Sequence, residues 1–135
     1  MLKTCIALTT ALTSLVVAPV ALSQSALTNK DIQYLASLNQ LLLGDKDHDL
    51  SRIVERIPNE QKIEAGKGIC RYLRSGDNFR QLSMALYSNE IRQVAPDINN
   101  LTESQIDVFR SYVFTAWYAG VQNYCPEYNY QLESN

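Results

Sequence analysis

The sequence has few of the residues that perform catalysis or bind metals. Its 135 residues include a single histidine, His48, and only three cysteines. Because histidine is the most frequent general base and a common metal ligand, one imidazole leaves little material for either role. The chain also lacks a recognisable nucleophile motif, a phosphate-binding loop and a dinucleotide-binding fingerprint. We therefore predict a protein that is not an enzyme, with no catalytic residues, no cofactor and no metal.

An excess of positive charge is absent as well. The 12 Lys and Arg residues face 14 Asp and Glu residues, for a formal net charge of −2. Nucleic-acid binding usually requires a basic face, so this balance argues against a nucleic-acid partner. Four prolines and five glycines, without low-complexity stretches, exclude a disordered or collagen-like chain. At roughly 100–200 residues per domain, the length allows one domain.

The first residues have the layout of a secretory signal peptide. Lys3 is the only charged residue of this segment, and an apolar stretch follows over residues 5–17. Pro19 then interrupts any helix, and small residues precede a cleavage point after Ser23. The alternatives are a buried helix and an uncleaved anchor, but the stretch is shorter than the roughly 20 residues of a membrane span. We predict a signal peptide over residues 1–23 and export to the periplasm or the extracellular space.

Cleavage leaves a single predicted domain over residues 24–135, without Cys5 and without a predicted membrane span. Eleven basic residues then face 14 acidic ones, for a mature net charge of −3. The remaining cysteines are Cys70 and Cys125, and in an oxidising compartment such a pair most simply forms a disulfide. The alternatives are two free buried thiols and a zinc site, which would need a carboxylate or a water molecule beside His48.

Apolar residues recur at helical spacing in every convincing segment. Thr28 is a candidate cap for the first helix, and Asp77 or Asn78 for a later one. Thr102 and Gln105 form a capping box at the start of the longest helix. The apolar stripe of the first helix consists of Ile32, Leu35, Leu38, Leu41 and Leu42. No strand alternation is present, so we predict an all-α fold, a small helical bundle of four or five helices with one disulfide.

Two glycines lie inside a predicted helix, where each costs about 1 kcal/mol relative to alanine. They are Gly66 and Gly68, and such a cost usually means that another element packs closely against the backbone. Gly66 lies four residues before Cys70, on the same helix face, and Gly76 ends the helix. We predict Gly66 and Gly76 as the close-packing glycines.

The last helix is rich in aromatic residues and is predicted to end at Cys125-Pro126. Four of its large residues are predicted to face the core: Phe109, Val113, Trp117 and Tyr124. Tyr112 and two further rings cannot all face inward with them, so the helix is either buried centrally or exposes rings to a partner. Tyr128 and Tyr130, which follow the helix, are the candidate partner surface.

A partial calcium-loop pattern lies between the first two predicted helices. Asp45, Asp47 and Asp49 occupy its first, third and fifth positions. The loop also needs a glycine at the sixth position and a glutamate at the twelfth, where this chain has Leu50 and Arg56. We therefore favour a polar linker over a metal site.

Two short motifs add a resemblance to these patterns. One has a glycine, a cysteine four residues later, a leucine three beyond and a closing glycine, at Gly66, Cys70, Leu73 and Gly76. The other is a helix over residues 116–126 that ends in Tyr-Cys-Pro. Both resemble the family called domain of unknown function 732, and the resemblance covers most of the chain from Asp31 onward. It implies a small exported bacterial protein with a helical domain and a disulfide between Cys70 and Cys125, and it implies no activity.

These patterns predict an exported, non-enzymatic binding or interaction module at the cell envelope. Its partner would be a protein or another component of the envelope. The alternative is a small-ligand carrier or an enzyme that uses a pocket between helices. A sizeable apolar cavity with a few convergent polar groups would favour this alternative.

Overall fold

The computed structural model describes residues 27–43, 48–89, 91 and 99–133. These residues form helices and no strand, which confirms the all-α fold, and the predicted disulfide is present. The helices are α1 (Asn29–Leu43), α2 (His48–Arg56), α3 (Asn59–Arg74), α4 (Phe79–Tyr87), α5 (Glu103–Tyr124) and the 3₁₀-helix η1 (Pro126–Gln131). The predicted signal peptide, residues 1–23, lies outside the described residues.

The helices begin at the polar residues that the sequence indicates. At α5, Thr102 donates its N–H to Gln105 Oε1 (2.9 Å), and the Gln105 N–H reaches Thr102 Oγ1 (3.3 Å), so the capping box is confirmed. The Asn78 side chain accepts a backbone N–H of α4 at 2.9 Å. At α1, Thr28 and Asp31 exchange two such bonds, at 3.0 and 3.1 Å. Each pair satisfies N–H groups that would otherwise lack partners.

Gly76 ends α3 through its backbone conformation. Its φ is +103°, a region that L side chains rarely adopt. The Gly76 N–H donates to Leu73 O (3.2 Å) and the Asp77 N–H to Tyr72 O (3.1 Å), which together form a Schellman motif. A Cβ at Gly76 would meet nothing within 4 Å. The prediction that Gly76 is a close-packing glycine is therefore wrong, because the turn and not a neighbour requires the glycine.

Helix α5 is the centre of the described structure, since it contacts α1, α2, α3, α4 and η1. Its most buried face carries Tyr112 and the small residues Ala116, Ala119 and Gly120. The four residues predicted to face the core are only partly buried: Phe109, Val113, Trp117 and Tyr124. All four nevertheless pack against the buried clusters, so they face the core at its margin. The fully buried positions between them carry small side chains, which a search for large apolar residues does not select.

The buried face of α1 also differs from the predicted stripe. Leu38 and Leu42 are buried as predicted, but Ile32 and Leu41 are 55% and 41% exposed. Tyr34 is fully buried instead. The buried stripe of α1 therefore starts with Asp31 and Tyr34. A search for aliphatic residues at helical spacing does not select either of them.

Two specific contacts connect α3 and α4 to α5. The disulfide joins Cys70 of α3 to Cys125 at the end of α5, and both cysteines are buried. Arg110 of α5 donates from Nε to Leu86 O (3.1 Å) and from Nη2 to Ser88 O (3.3 Å). These carbonyls lie at the C-terminal end of α4, where a cation also complements the helix dipole. This role of Arg110 was not predicted from the sequence.

Candidate ligand-binding groove

Three helices meet at a very close contact between Gly66 and Gly120. A Cβ at Gly120 would lie 2.8 Å from Gly66 Cα and closer still to the Gly66 carbonyl oxygen. A Cβ at Gly66 would lie 2.5 Å from Cζ of Tyr34. Gly66 thus occupies the close-packed position that the sequence predicts for it, and this contact fixes the position of α3 along α5.

A polar network adjoins this contact. Tyr34 donates its hydroxyl to Lys62 O at 2.7 Å, and its ring centroid lies 5.1 Å from that of Tyr124. Tyr124 donates its hydroxyl to Asp31 Oδ1 at 2.6 Å. Lys67 Nζ lies 3.2 Å from the same carboxylate oxygen. The network connects α1, α3 and the end of α5.

The environment of Asp31 keeps this carboxylate charged. Burial by itself raises its pKa, but hydrogen bonds from Tyr124, from Thr28 and from Lys67 outweigh burial and lower the pKa from 3.8 to about 2. Burial and the bond to Asp31 raise the pKa of Tyr124. Neither group changes its protonation near neutral pH, so this network stabilises the fold and is a poor candidate for acid–base catalysis.

We expect Asp31→Asn to lower the free energy of unfolding by about 2 kcal/mol at neutral pH. Because the folded pKa lies below the unfolded one, this stabilisation is complete above about pH 4 and is lost as the pH falls towards about 2. Urea denaturation of parent and variant at several pH values measures the difference. Asp77→Asn is the matched control, since Asp77 is exposed and its side chain forms no hydrogen bond or ion pair with another described residue. A difference that stays constant down to pH 2 would contradict the assignment.

An apolar groove of about 450 Å³ lies beside the first half of α5 and is open to solvent. Its lining comes from the residue after α2, the first turns of α3, the residue before the α5 cap and α5 itself. The lining residues are Ile57, Gln61, Ala65, Leu101, Gln105, Phe109, Tyr112 and Val113.

The groove follows from the offset between α3 and α5. The two helices run parallel, because Gly66 contacts Gly120 and, further along both helices, Cys70 is bonded to Cys125. Helix α3 begins seven residues before Gly66, whereas α5 begins seventeen residues before Gly120. The first turns of α5 therefore extend beyond the start of α3. Ile106 and Val108 are buried there, whereas Phe109 and Val113 are left only partly covered.

The polar groups of the groove are few and uncharged. Two of them are the amides of Gln61 and Gln105, and the third is the phenol of Tyr112. Tyr112 is only 7% exposed, and no hydrogen bond joins its hydroxyl to another described residue. Among the described side chains, Asn129 Oδ1 is the one fully enclosed polar atom without a partner, so the Tyr112 oxygen retains some solvent contact. Burial raises the pKa of Tyr112 to about 12, which keeps the phenol neutral.

The other predicted site residues lie apart from this groove or outside the described residues. Tyr128 is half-buried against the cluster around the disulfide, whereas Tyr130 is 63% exposed. Asp45 and Asp47 lie outside the described residues, and so does the side chain of Asp49. Within the described ranges, no three histidine, cysteine or acidic side chains are grouped to hold a metal ion.

The groove was not among the features predicted from the sequence. Phe109 and Val113 were predicted to face the core; both pack against buried clusters and also line the groove. One signal was available in the sequence. The large residues of α5, Tyr112 among them, spread around the helix, so neighbouring helices could not cover all of them.

The fold and the groove define an all-α, disulfide-linked helical protein with an apolar surface site. Comparison with protein-family models, with curated proteins and with solved structures found no significant match. The resemblance to the domain of unknown function 732 family stays a prediction that rests on its two short motifs. In the part of the chain that is described, no helix is both long enough and apolar enough to cross a membrane.

Proposed function

We propose that the protein is an exported, non-enzymatic binding protein of the cell envelope, and that the groove binds a small apolar ligand. The observation on which this rests is the groove itself. Its volume falls within the ~300–1,000 Å³ of typical ligand sites, and like them it combines an apolar lining with a few polar groups. Export is supported by the N-terminal sequence and by the disulfide, which is typical of oxidising compartments.

The size of the groove sets the expected affinity. A ligand that buries about 200 Å² of apolar surface gains about 5 kcal/mol at roughly 25 cal/mol per Å². That corresponds to a Kd in the sub-millimolar range, before the costs of immobilising the ligand. Such an affinity suits a carrier that must release its ligand.

A protein partner bound at Tyr128 and Tyr130 is the second candidate. The exposed ring of Tyr130 favours it, since aromatic rings are frequent anchors at interfaces. Tyr128 is half-buried, so this surface offers one accessible ring and not the predicted two. The groove is a concave site lined by several apolar side chains, and we therefore prefer it.

We expect the mature protein to bind the fluorescent probe N-phenyl-1-naphthylamine, and Ala65→Phe to weaken this binding about tenfold or more. The added ring would occupy the groove, because Ala65 lines it. Fluorescence titration measures both affinities. Ala85→Phe is the matched control, since Ala85 is an exposed residue of helix α4. Absence of probe binding, or equal affinity in the two variants, would contradict the proposal.

A further inference from the structure

The lining of the groove indicates which ligands it can accept. None of the eight lining residues carries a charge. Moving an ion from water into an apolar site costs several kcal/mol unless an opposite charge is present there. A carboxylate, phosphate or ammonium group would find no such counter-charge among the lining residues. The groove is therefore suited to uncharged molecules.

Tyr112 offers a position for one polar atom of the ligand. Tyrosine hydroxyls that are buried in proteins usually have a hydrogen-bond partner, either in the protein or in water, and a ligand oxygen can take the place of that water. The hydroxyls of Tyr34 and Tyr124 have partners within the fold, at 2.7 and 2.6 Å. The hydroxyl of Tyr112 has none among the described residues, although this side chain is more than nine-tenths buried and lines the groove.

We infer that the groove binds a compact, uncharged aliphatic or aromatic molecule with one hydroxyl or carbonyl oxygen, which forms a hydrogen bond with Tyr112. This inference rests on the proposed function of the groove. The amides of Gln61 and Gln105 supply the other hydrogen-bonding groups of the lining. The apolar body of the ligand lies against Phe109 and its aliphatic neighbours.

A single substitution tests whether the Tyr112 hydroxyl binds the ligand. Tyr112→Phe removes only the hydroxyl, and because that hydroxyl bonds to no other described residue, the variant is expected to fold with parental stability. Tyr72→Phe is the matched control, since Tyr72 is an exposed residue of α3 outside the groove. Tyr34→Phe, which loses a bond within the fold, is expected to be less stable than either.

The experiment compares 1-octanol with octanoate at about pH 8, as competitors that displace N-phenyl-1-naphthylamine from the mature protein. We expect octanol to bind at least about tenfold more tightly than octanoate, because the polar end of the ligand must reach the buried Tyr112, where a carboxylate would lose its hydration. Tyr112→Phe should weaken octanol binding about fivefold, as expected for one lost hydrogen bond, and Tyr72→Phe should leave it unchanged.

Two results would overturn this ligand class. Equal affinity for octanol and octanoate would contradict the selection for uncharged molecules, and equal octanol affinity in Tyr112→Phe and Tyr72→Phe would remove the role of Tyr112. In either case, weaker probe binding by Ala65→Phe would still support the groove as a binding site. Failure of the Ala65→Phe experiment would instead contradict the proposed function itself.

Discussion

We expect Gly120→Ala to lower the free energy of unfolding by about 3 kcal/mol, the upper part of the range for overpacked cores. The new methyl group would lie 2.8 Å from the Cα of Gly66 and closer still to its carbonyl oxygen, and backbone atoms cannot rotate away as a side chain can. Helix α3 would have to move away from α5, although the disulfide joins the two helices one turn further along. Urea denaturation monitored by circular dichroism measures the loss.

Gly68→Ala is the matched control for this substitution. Its Cβ would lie 3.6 Å from Arg71 Nη2, an ordinary contact with the end of a flexible side chain. Alanine has the higher helix propensity, so Gly68→Ala should stabilise the protein by up to about 1 kcal/mol. If the two substitutions change stability by the same amount, the contact between Gly66 and Gly120 is not as close as described.

Removal of the disulfide is expected to have an effect of similar size. The double variant Cys70→Ala, Cys125→Ala should lose about 3–4 kcal/mol, since the bond closes a loop with a sequence separation of 55. Both cysteines also lie within a buried cluster that includes Phe79 and Val121, where a smaller side chain leaves unfilled space. The free energy of unfolding of the variant, measured beside the oxidised parent, gives the loss.

The parent protein provides the control for this experiment. Without reductant, neither thiol should react with an alkylating reagent, whether the chain is folded or unfolded in urea. With reductant in urea, both should react. Alkylation of the unreduced protein, or a double variant as stable as the parent, would contradict the role of the disulfide.

Local features of the fold could be predicted from the sequence because neighbouring residues determine them. The capping box of Thr102 and Gln105 needs only residues three apart, and Pro126 ends α5 through its effect on the preceding residue. The disulfide was the simplest interpretation of the two cysteines that remain in the predicted mature chain. In each case the structural partners lie close together in sequence or have few alternatives.

The buried faces depended on contacts between distant residues. Periodicity placed Ile32 and Leu41 on the buried side of α1. The buried stripe is instead rotated towards Asp31 and Tyr34, although Leu38 and Leu42 remain within it. The spacing of aliphatic residues cannot predict this packing, because the buried contact is made by the Tyr34 ring against Gly66.

The groove is still less visible in the sequence. It exists because the position of Gly66 against Gly120 lets the start of α5 extend beyond the start of α3. That offset is a property of two helices separated by many residues, and no single segment encodes it. The unpaired hydroxyl of Tyr112 is equally invisible, because a tyrosine in a helix pattern gives no sign of whether its oxygen has a partner.

The most direct test of the central claim is a titration of the isotopically labelled mature protein with 1-octanol, followed by heteronuclear NMR. The account predicts saturable shifts, confined to resonances of Gln61, Ala65, Phe109, Val113 and their neighbours, with Tyr130 unaffected. Shifts that do not saturate, or that cluster around Tyr130 and leave the groove unchanged, would contradict it.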